Sequence, residues 1–186
     1  MGEAGGGFRK LDERVVFDGH LITVVQGTFA DPSGERFERD LVHHPGAVSI
    51  VPVVDGRRVL LVRQYRAAVD RVLLEIPAGK RDVDGEDPGV TAARELEEEV
   101  GMRAGRLHKL AEFYNSPGFC DEHSFVYLAT GLERTETSAH GVEEQHMTVE
   151  EVALDDLAGL VASGELVDAK SIIGLALARE ALAGEG

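Results

Sequence analysis

From Asp87 to Gly101 the chain reads DPGVTAARELEEEVG, and this stretch admits one local structure. Asp87 followed by Pro88 gives an N-cap and a proline at the first helical position, and Gly101 supplies a left-handed stop. The spacing predicts a helix from about Pro88 to about Val100. At roughly 100° per residue Val90, Ala93, Leu96 and Val100 share one side, whereas Glu95, Glu98 and Glu99 cluster within an arc of about 100° on another. One face is expected to pack and the other to carry three carboxylates.

Such a cluster is costly by itself. Glu95 and Glu99 form an i,i+4 like-charge pair, worth about 0.2–0.5 kcal/mol of repulsion, and Glu98 and Glu99 lie in the last turn, where the helix dipole disfavours anions. Arg94 can reach Glu98 one turn on and offset part of this. A hard divalent cation would offset far more, and magnesium is the usual choice where phosphates complete its shell. On the helix alone, a solvated acidic face on an acidic chain is the simpler account.

The wider spacing changes that balance. Read from Gly79 the pattern is G-x6-E-x7-R-E-L-x-E-E-x-G-M, with Glu86, Arg94, Glu95, Leu96, Glu98, Glu99, Gly101 and Met102 at the fixed positions. It resembles the Nudix box, G-x5-E-x7-R-E-U-x-E-E-x-G-U with U aliphatic, and departs from it by one residue between Gly79 and Glu86. That insertion falls in the loop before the helix.

Composition agrees with one enzyme-sized domain. The chain has 186 residues, 43% of them hydrophobic, enough for a sizeable core. A formal charge of −15 argues against nucleic acid or an anionic membrane as partner, since a polyanion is repelled. No apolar run approaches the length of a bilayer span. Cys120 is the single cysteine, so neither an intrachain disulfide nor a thiolate zinc cluster is expected, and the expected location is the cytoplasm.

Along the chain, residues 1–10 read as a flexible lead. Strands are expected over Val15–Phe17, His20–Phe29, Arg36–His43, Ala47–Val54, Arg58–Tyr65, Val72–Ile76, Leu107–Tyr114, Ser124–Thr130 and Met147–Ala153, separated by turn signals such as Asp18-Gly19 and Asp55-Gly56. Leu154–Ser163 and Ala169–Ala183 read as helices. The simplest packing is an α/β/α sandwich with a mixed sheet over 45–186, which is also the fold the Nudix resemblance implies. It is preceded by an N-terminal antiparallel sheet over 11–44. That sheet is too small to bury its own core, so a homodimer is expected, with these strands at the dimer contact.

Within the Nudix family the chain is similar to the ADP-ribose pyrophosphatase branch over nearly its whole length. The marks are Arg36 to Asp40, the triplet Gln64-Tyr65-Arg66, LEIPAG at Leu74 to Gly79, and SPGFCDE at Ser116 to Glu122. Pro117 lies sixteen residues beyond Gly101, the offset at which that branch carries a proline. The resemblance implies magnesium, or manganese in its place, as cofactor, and hydrolysis of ADP-ribose to AMP and ribose 5-phosphate. Another nucleoside diphosphate sugar or a dinucleotide is the alternative substrate, and a non-catalytic nucleotide-binding module the alternative class. The intact set Glu95, Glu98 and Glu99 speaks against the last.

Candidate roles follow. Glu95 and Glu99 are the first choices as metal ligands, with Glu98 a third ligand or a group that orients the base, and the resemblance adds the backbone carbonyl of Ala78. Glu86 is expected to hold the loop to the helix through Arg94. If the box acids all bind metal their basicity falls, so the general base is sought elsewhere. The polar segment Gly141 to His146 offers Glu143 and Glu144, and Glu144 is preferred because similar enzymes place a catalytic glutamate on this loop. Arg39 is assigned to adenine and Arg66 to phosphate, as guanidinium groups suit both. Pro117 and Glu122 are assigned to the substrate, Glu122 at the terminal ribose or beside the metal.

Overall fold

The computed structural model describes residues 5–135 and 146–184. It divides into two compact units, residues 1–46 with 113–124, and residues 47–112 with 125–186.

In the first unit β1 (Arg9–Asp18), β2 (Thr23–Ala30) and β3 (Arg36–His43) form an antiparallel sheet in the order β1-β2-β3. Val25 pairs with Val15 on one side and Leu41 on the other and is almost fully buried, as befits a central strand. The turn between β2 and β3 is fixed by Asp31, whose Oδ1 accepts from the backbone N–H groups of Ser33 and Glu35 at 2.8 Å, while Gly34 takes φ 91°. β1 starts at Arg9, earlier than Val15, and carries register shifts between Lys10 and Asp12 and between Val15 and Phe17. Those irregularities break the period-2 pattern that marks a strand in sequence. Residues 116–122 are tied to β3 by Val42 N–H to the Phe119 carbonyl at 2.7 Å and Asp121 N–H to the Val42 carbonyl at 3.1 Å.

The second unit holds β4 (Ala47–Pro52), β5 (Arg58–Arg66), β6 (Arg71–Glu75), β7 (Ala78–Lys80), α1 (Pro88–Val100) and β10 (Thr148–Ala153), followed by α2 (Leu157–Ser163) and α3 (Ala169–Ala183). It also holds most of β8 (Met102–Tyr114) and β9 (His123–Arg134). One sheet runs β7-β4-β9-β8 and another β10-β5-β6. β4 is apolar apart from Ser49, which is itself fully buried, because both of its faces are covered. Val48 and Ile50 join Ala92, Leu96 and Val100 of α1 in the main core, whereas Val51 faces Gly174 of α3, where an added Cβ would lie 3.2 Å from it. Helices on both sides of a mixed sheet make this the α/β/α arrangement expected.

Three differences from the expected strands have local causes. β8 starts at Met102 and β9 runs to Arg134, past Gly105 and Gly131; glycine weakens a strand signal, yet here the two backbones meet, with a Cβ on Gly105 falling 3.1 Å from the Gly131 carbonyl oxygen. β7 is only three residues long and too short to show a period. Residues 154–156 form a 3-10 turn ahead of α2. Among the described residues no helix is long and apolar enough to cross a membrane.

Candidate active site

α1 has the expected bounds and caps. The Asp87 carboxylate accepts from the Gly89 N–H at 2.8 Å, and Gly101 adopts φ 66° while its N–H bonds to the carbonyls of Glu97 and Leu96. Its faces are not arranged as the periodicity predicts. Val90 is 57% exposed, and the buried side carries Thr91, Ala92, Glu95, Leu96, Glu99 and Val100. Glu95 and Glu99 keep only 8% and 6% exposure; Glu98 is half-buried.

The surface they meet explains how carboxylates fit there. It is the backbone of β7. The Ala78 N–H donates to Glu99 Oε2 at 3.0 Å, and Gly79 leaves room for Glu95, since a Cβ at that position would lie 2.0 Å from Glu95 Cδ. Glu99 is thereby held at Ala78 and Glu95 at Gly79, while Glu98 is tied to Arg94.

Arg94 is the cation of this region, and four carboxylates share it. Its Nη1 lies 2.9 Å from Glu95 and 3.4 Å from Glu98, and its Nη2 3.5 Å from Glu86 and 3.7 Å from Asp82. Burial works against its charge, but Glu95, Glu98 and Glu86 more than compensate and raise its pKa. Glu86 also accepts from Thr91 Oγ1 at 2.7 Å, so it ties the loop to the first turn of the helix as expected. One guanidinium cannot neutralise four carboxylates, of which Glu95 is buried, and buried charge is tolerated only with partners. All-oxygen donors in acid excess fit a hard divalent cation. Among the described residues no group of three or more Asp, Glu, His or Cys side chains is placed to hold a metal ion.

Arg66, at the end of β5, stands on a second ionic group. Its Nε and Nη2 donate to the two oxygens of Glu75 at 2.8 and 2.7 Å. Glu75 is 1% exposed and is also paired with Lys170 of α3. Lys170 lies 2.9 Å from Asp168, whose carboxylate caps α3 through the Ser171 N–H at 3.0 Å. The Arg66 pKa is raised mainly by its hydrogen bonds to Glu75, and the charge of Glu99 adds to this, so the guanidinium feels the acids of α1. Sequence reasoning missed Glu75 and Lys170. The available signal was a lone acid closing the apolar run Val72-Leu73-Leu74.

The remaining candidates belong to the first unit. Arg39 is exposed on β3, its guanidinium 4.8 Å above the Phe37 ring centre. Pro117 lines a shallow apolar pocket of about 210 Å³ with Leu41, Tyr114 and Phe119. Glu122 is half-buried, and its carbonyl accepts from the Asn115 N–H at 3.3 Å. Glu143 and Glu144 lie outside the described residues.

Comparison with known proteins adds to this geometry. The family model described as NUDIX domain matches residues 43–173. The chain is 42% identical over 163 residues to an ADP-ribose pyrophosphatase of Bacillus subtilis (strain 168), covering 88% of each chain. It is 38% identical over 168 residues to an ADP-ribose pyrophosphatase of Mycobacterium tuberculosis (strain ATCC 25618 / H37Rv), covering 90% of this chain and 81% of the other. A crystal structure of an ADP compounds hydrolase superposes with a TM-score of 0.83 at 26% identity, covering 96% of each chain.

Proposed function

The chain belongs to the Nudix family and is a Nudix hydrolase, and from that premise we propose that it hydrolyses the pyrophosphate of ADP-ribose to AMP and ribose 5-phosphate. The observation that carries this reading is the buried pair Glu95 and Glu99 against Ala78 and Gly79, in a chain whose likeness to ADP-ribose pyrophosphatases covers 88–90% of its length. Members of the family generally use divalent metals; here the ion is magnesium, or manganese in its place, held by Glu95, Glu98, Glu99 and the Ala78 carbonyl. Such an ion neutralises phosphate charge and acidifies water.

The chain's own groups supply the rest. Arg66, oriented by both oxygens of Glu75, offers its remaining N–H groups to phosphate. Arg94 limits repulsion among Glu86, Glu95 and Glu98, so the acids can stay ionised close together. Glu144, or Glu143 beside it, removes the proton from the attacking water, and the P–O bond that breaks leaves AMP and ribose 5-phosphate, each with a phosphate. Arg39 packs on the adenine face, and Pro117 and Glu122 bound the terminal ribose. Exposed Val15, Val16 and Phe17 on β1 favour a second copy of the chain at this sheet, making the protein a homodimer. It acts in the cytoplasm.

The test is a substrate panel with magnesium in which released nucleoside monophosphate is quantified. ADP-ribose is expected to lead in kcat/KM; a clear preference for a hexose nucleotide or a dinucleoside polyphosphate overturns the reading. A second measurement addresses the geometry at Gly79. Gly79→Ala forces the Glu95 carboxylate from its place, and a shift of about 1 Å in such a group costs on the order of a hundredfold in rate. Steady-state kinetics should show this loss in kcat with cooperative unfolding retained, and an unchanged kcat means Glu95 is free to reorient without consequence.

A further inference from the structure

His43 ends β3 with both ring nitrogens facing carboxylates. Nδ1 lies 2.6 Å from Asp121 Oδ2 and Nε2 lies 3.2 Å from Glu13 Oε2. A neutral imidazole has one donor and one acceptor, so it can satisfy only one of these contacts; the imidazolium donates to both. The other Asp121 oxygen accepts from the His44 N–H at 2.8 Å. Asp121 is therefore held twice, and it closes the loop that carries Pro117.

That loop has few other anchors. Within it the Phe119 and Cys120 N–H groups bond to the Ser116 carbonyl at 3.1 and 2.9 Å, and Val42 bonds to it on both sides of Cys120. Those are backbone contacts that set its path. Its side-chain hydrogen bonds to the sheet and its end are those of Asp121 to His43 and to the His44 N–H.

We infer that His43 is a positioning residue for the proline loop: its protonated ring clasps Asp121 to β1 and β3 and so sets the position of Pro117 and Glu122. This rests on the substrate reading above, in which those two residues meet ADP-ribose. The charged groups around the ring are Asp121 from the loop and Glu13 from β1, the latter shared with Lys10; β2 offers Thr23 opposite His43, which carries no charge. The hydrogen bonds to Asp121 and then Glu13 raise the His43 pKa above its ordinary value. A raised folded pKa means the clasp is complete below the ordinary histidine range and is lost as pH rises through the folded value.

Two readouts on the full-length protein test this. In NMR, His43 should titrate above the ordinary histidine value, and Asp121→Asn should lower its midpoint. In kinetics with ADP-ribose and magnesium, the wild-type KM should rise about tenfold as pH passes that midpoint, the size expected for one charge-assisted hydrogen bond, while kcat changes less than about twofold. His43→Gln, which cannot titrate, should lack this step and show the high KM throughout. The inference is overturned if His43 titrates at or below the ordinary histidine value and Asp121→Asn leaves it unmoved, or if His43→Gln retains the wild-type pH step in KM. A protein that does not turn over ADP-ribose at any pH instead removes the substrate reading and with it the loop's link to substrate, and the NMR titration then decides the clasp by itself.

Discussion

Glu99→Gln is expected to lower kcat by roughly a thousandfold, the scale of losing a main electrostatic contributor at a metal-assisted site. Glutamine has the same shape, and its Oε1 can still accept from the Ala78 N–H that holds Glu99 Oε2 at 3.0 Å. The change therefore removes charge and leaves the packing. Glu99 is 6% exposed, one turn from Glu95 and at the C-terminal end of α1. The like-charge pair and the helix dipole oppose its charge, whereas Arg66 and the Ala78 N–H favour it, so the variant without metal should unfold within a few degrees of the wild type. Magnesium then separates a ligand from a merely structural acid. A saturating cation, at a hundred times its Kd, stabilises the wild type by about 2.7 kcal/mol, and most of that shift should vanish in Glu99→Gln. Lost turnover with the magnesium shift intact would move Glu99 from metal binding to another catalytic role, and full turnover would remove it from the site.

What could be read from the sequence was what depends on neighbours along the chain. Asp87, Pro88 and Gly101 bound α1 within the chain itself, so its ends needed no tertiary information, and the apolar run of β4 announced a strand covered on both sides. The orientation of α1 was another matter. A helical wheel places acids outward because most surfaces a helix meets are apolar side chains. Here the facing surface is the backbone of Ala78 and Gly79, which accepts Glu95 and Glu99 inward and leaves Val90 in solvent, and no periodicity reports a neighbour that lacks side chains. The ionic groups were hidden for a related reason. His43 and Asp121 are 78 positions apart, and Glu75 and Lys170 95; each residue in isolation looks like a surface charge. Glu75 alone left a trace, as an acid at the end of an apolar strand.

Glu75 is also the position at which substitution should cost most stability. Removing one member of a buried ion pair costs about 3–5 kcal/mol, and Glu75→Ala leaves Arg66 without its bidentate partner and Lys170 with Asp168 alone. Arg66 is partly exposed and can turn outward, which favours the lower end of that range. In a chain of this size 3 kcal/mol corresponds to a fall in Tm of roughly 6–12 °C. The loss should depend on pH in a defined direction. Burial alone would raise the Glu75 pKa, but Arg66 and Lys170 hold it below the ordinary carboxylate value. A depressed folded pKa gives stability that is present above the unfolded value, near 4.3, and is lost as pH falls through the folded one. Urea unfolding should therefore show a wide gap between wild type and variant at pH 7 that narrows below about pH 4. A gap unchanged by acid would assign the loss to packing and remove the ionic account. Lys170→Met combined with Glu75→Ala should recover part of the stability, because the double variant no longer buries a lysine that has lost one of its two carboxylates. It should not recover KM for ADP-ribose, since Arg66 would still lack the carboxylate that fixes its direction, and that divergence distinguishes the part Glu75 plays in the fold from the part it plays at the substrate.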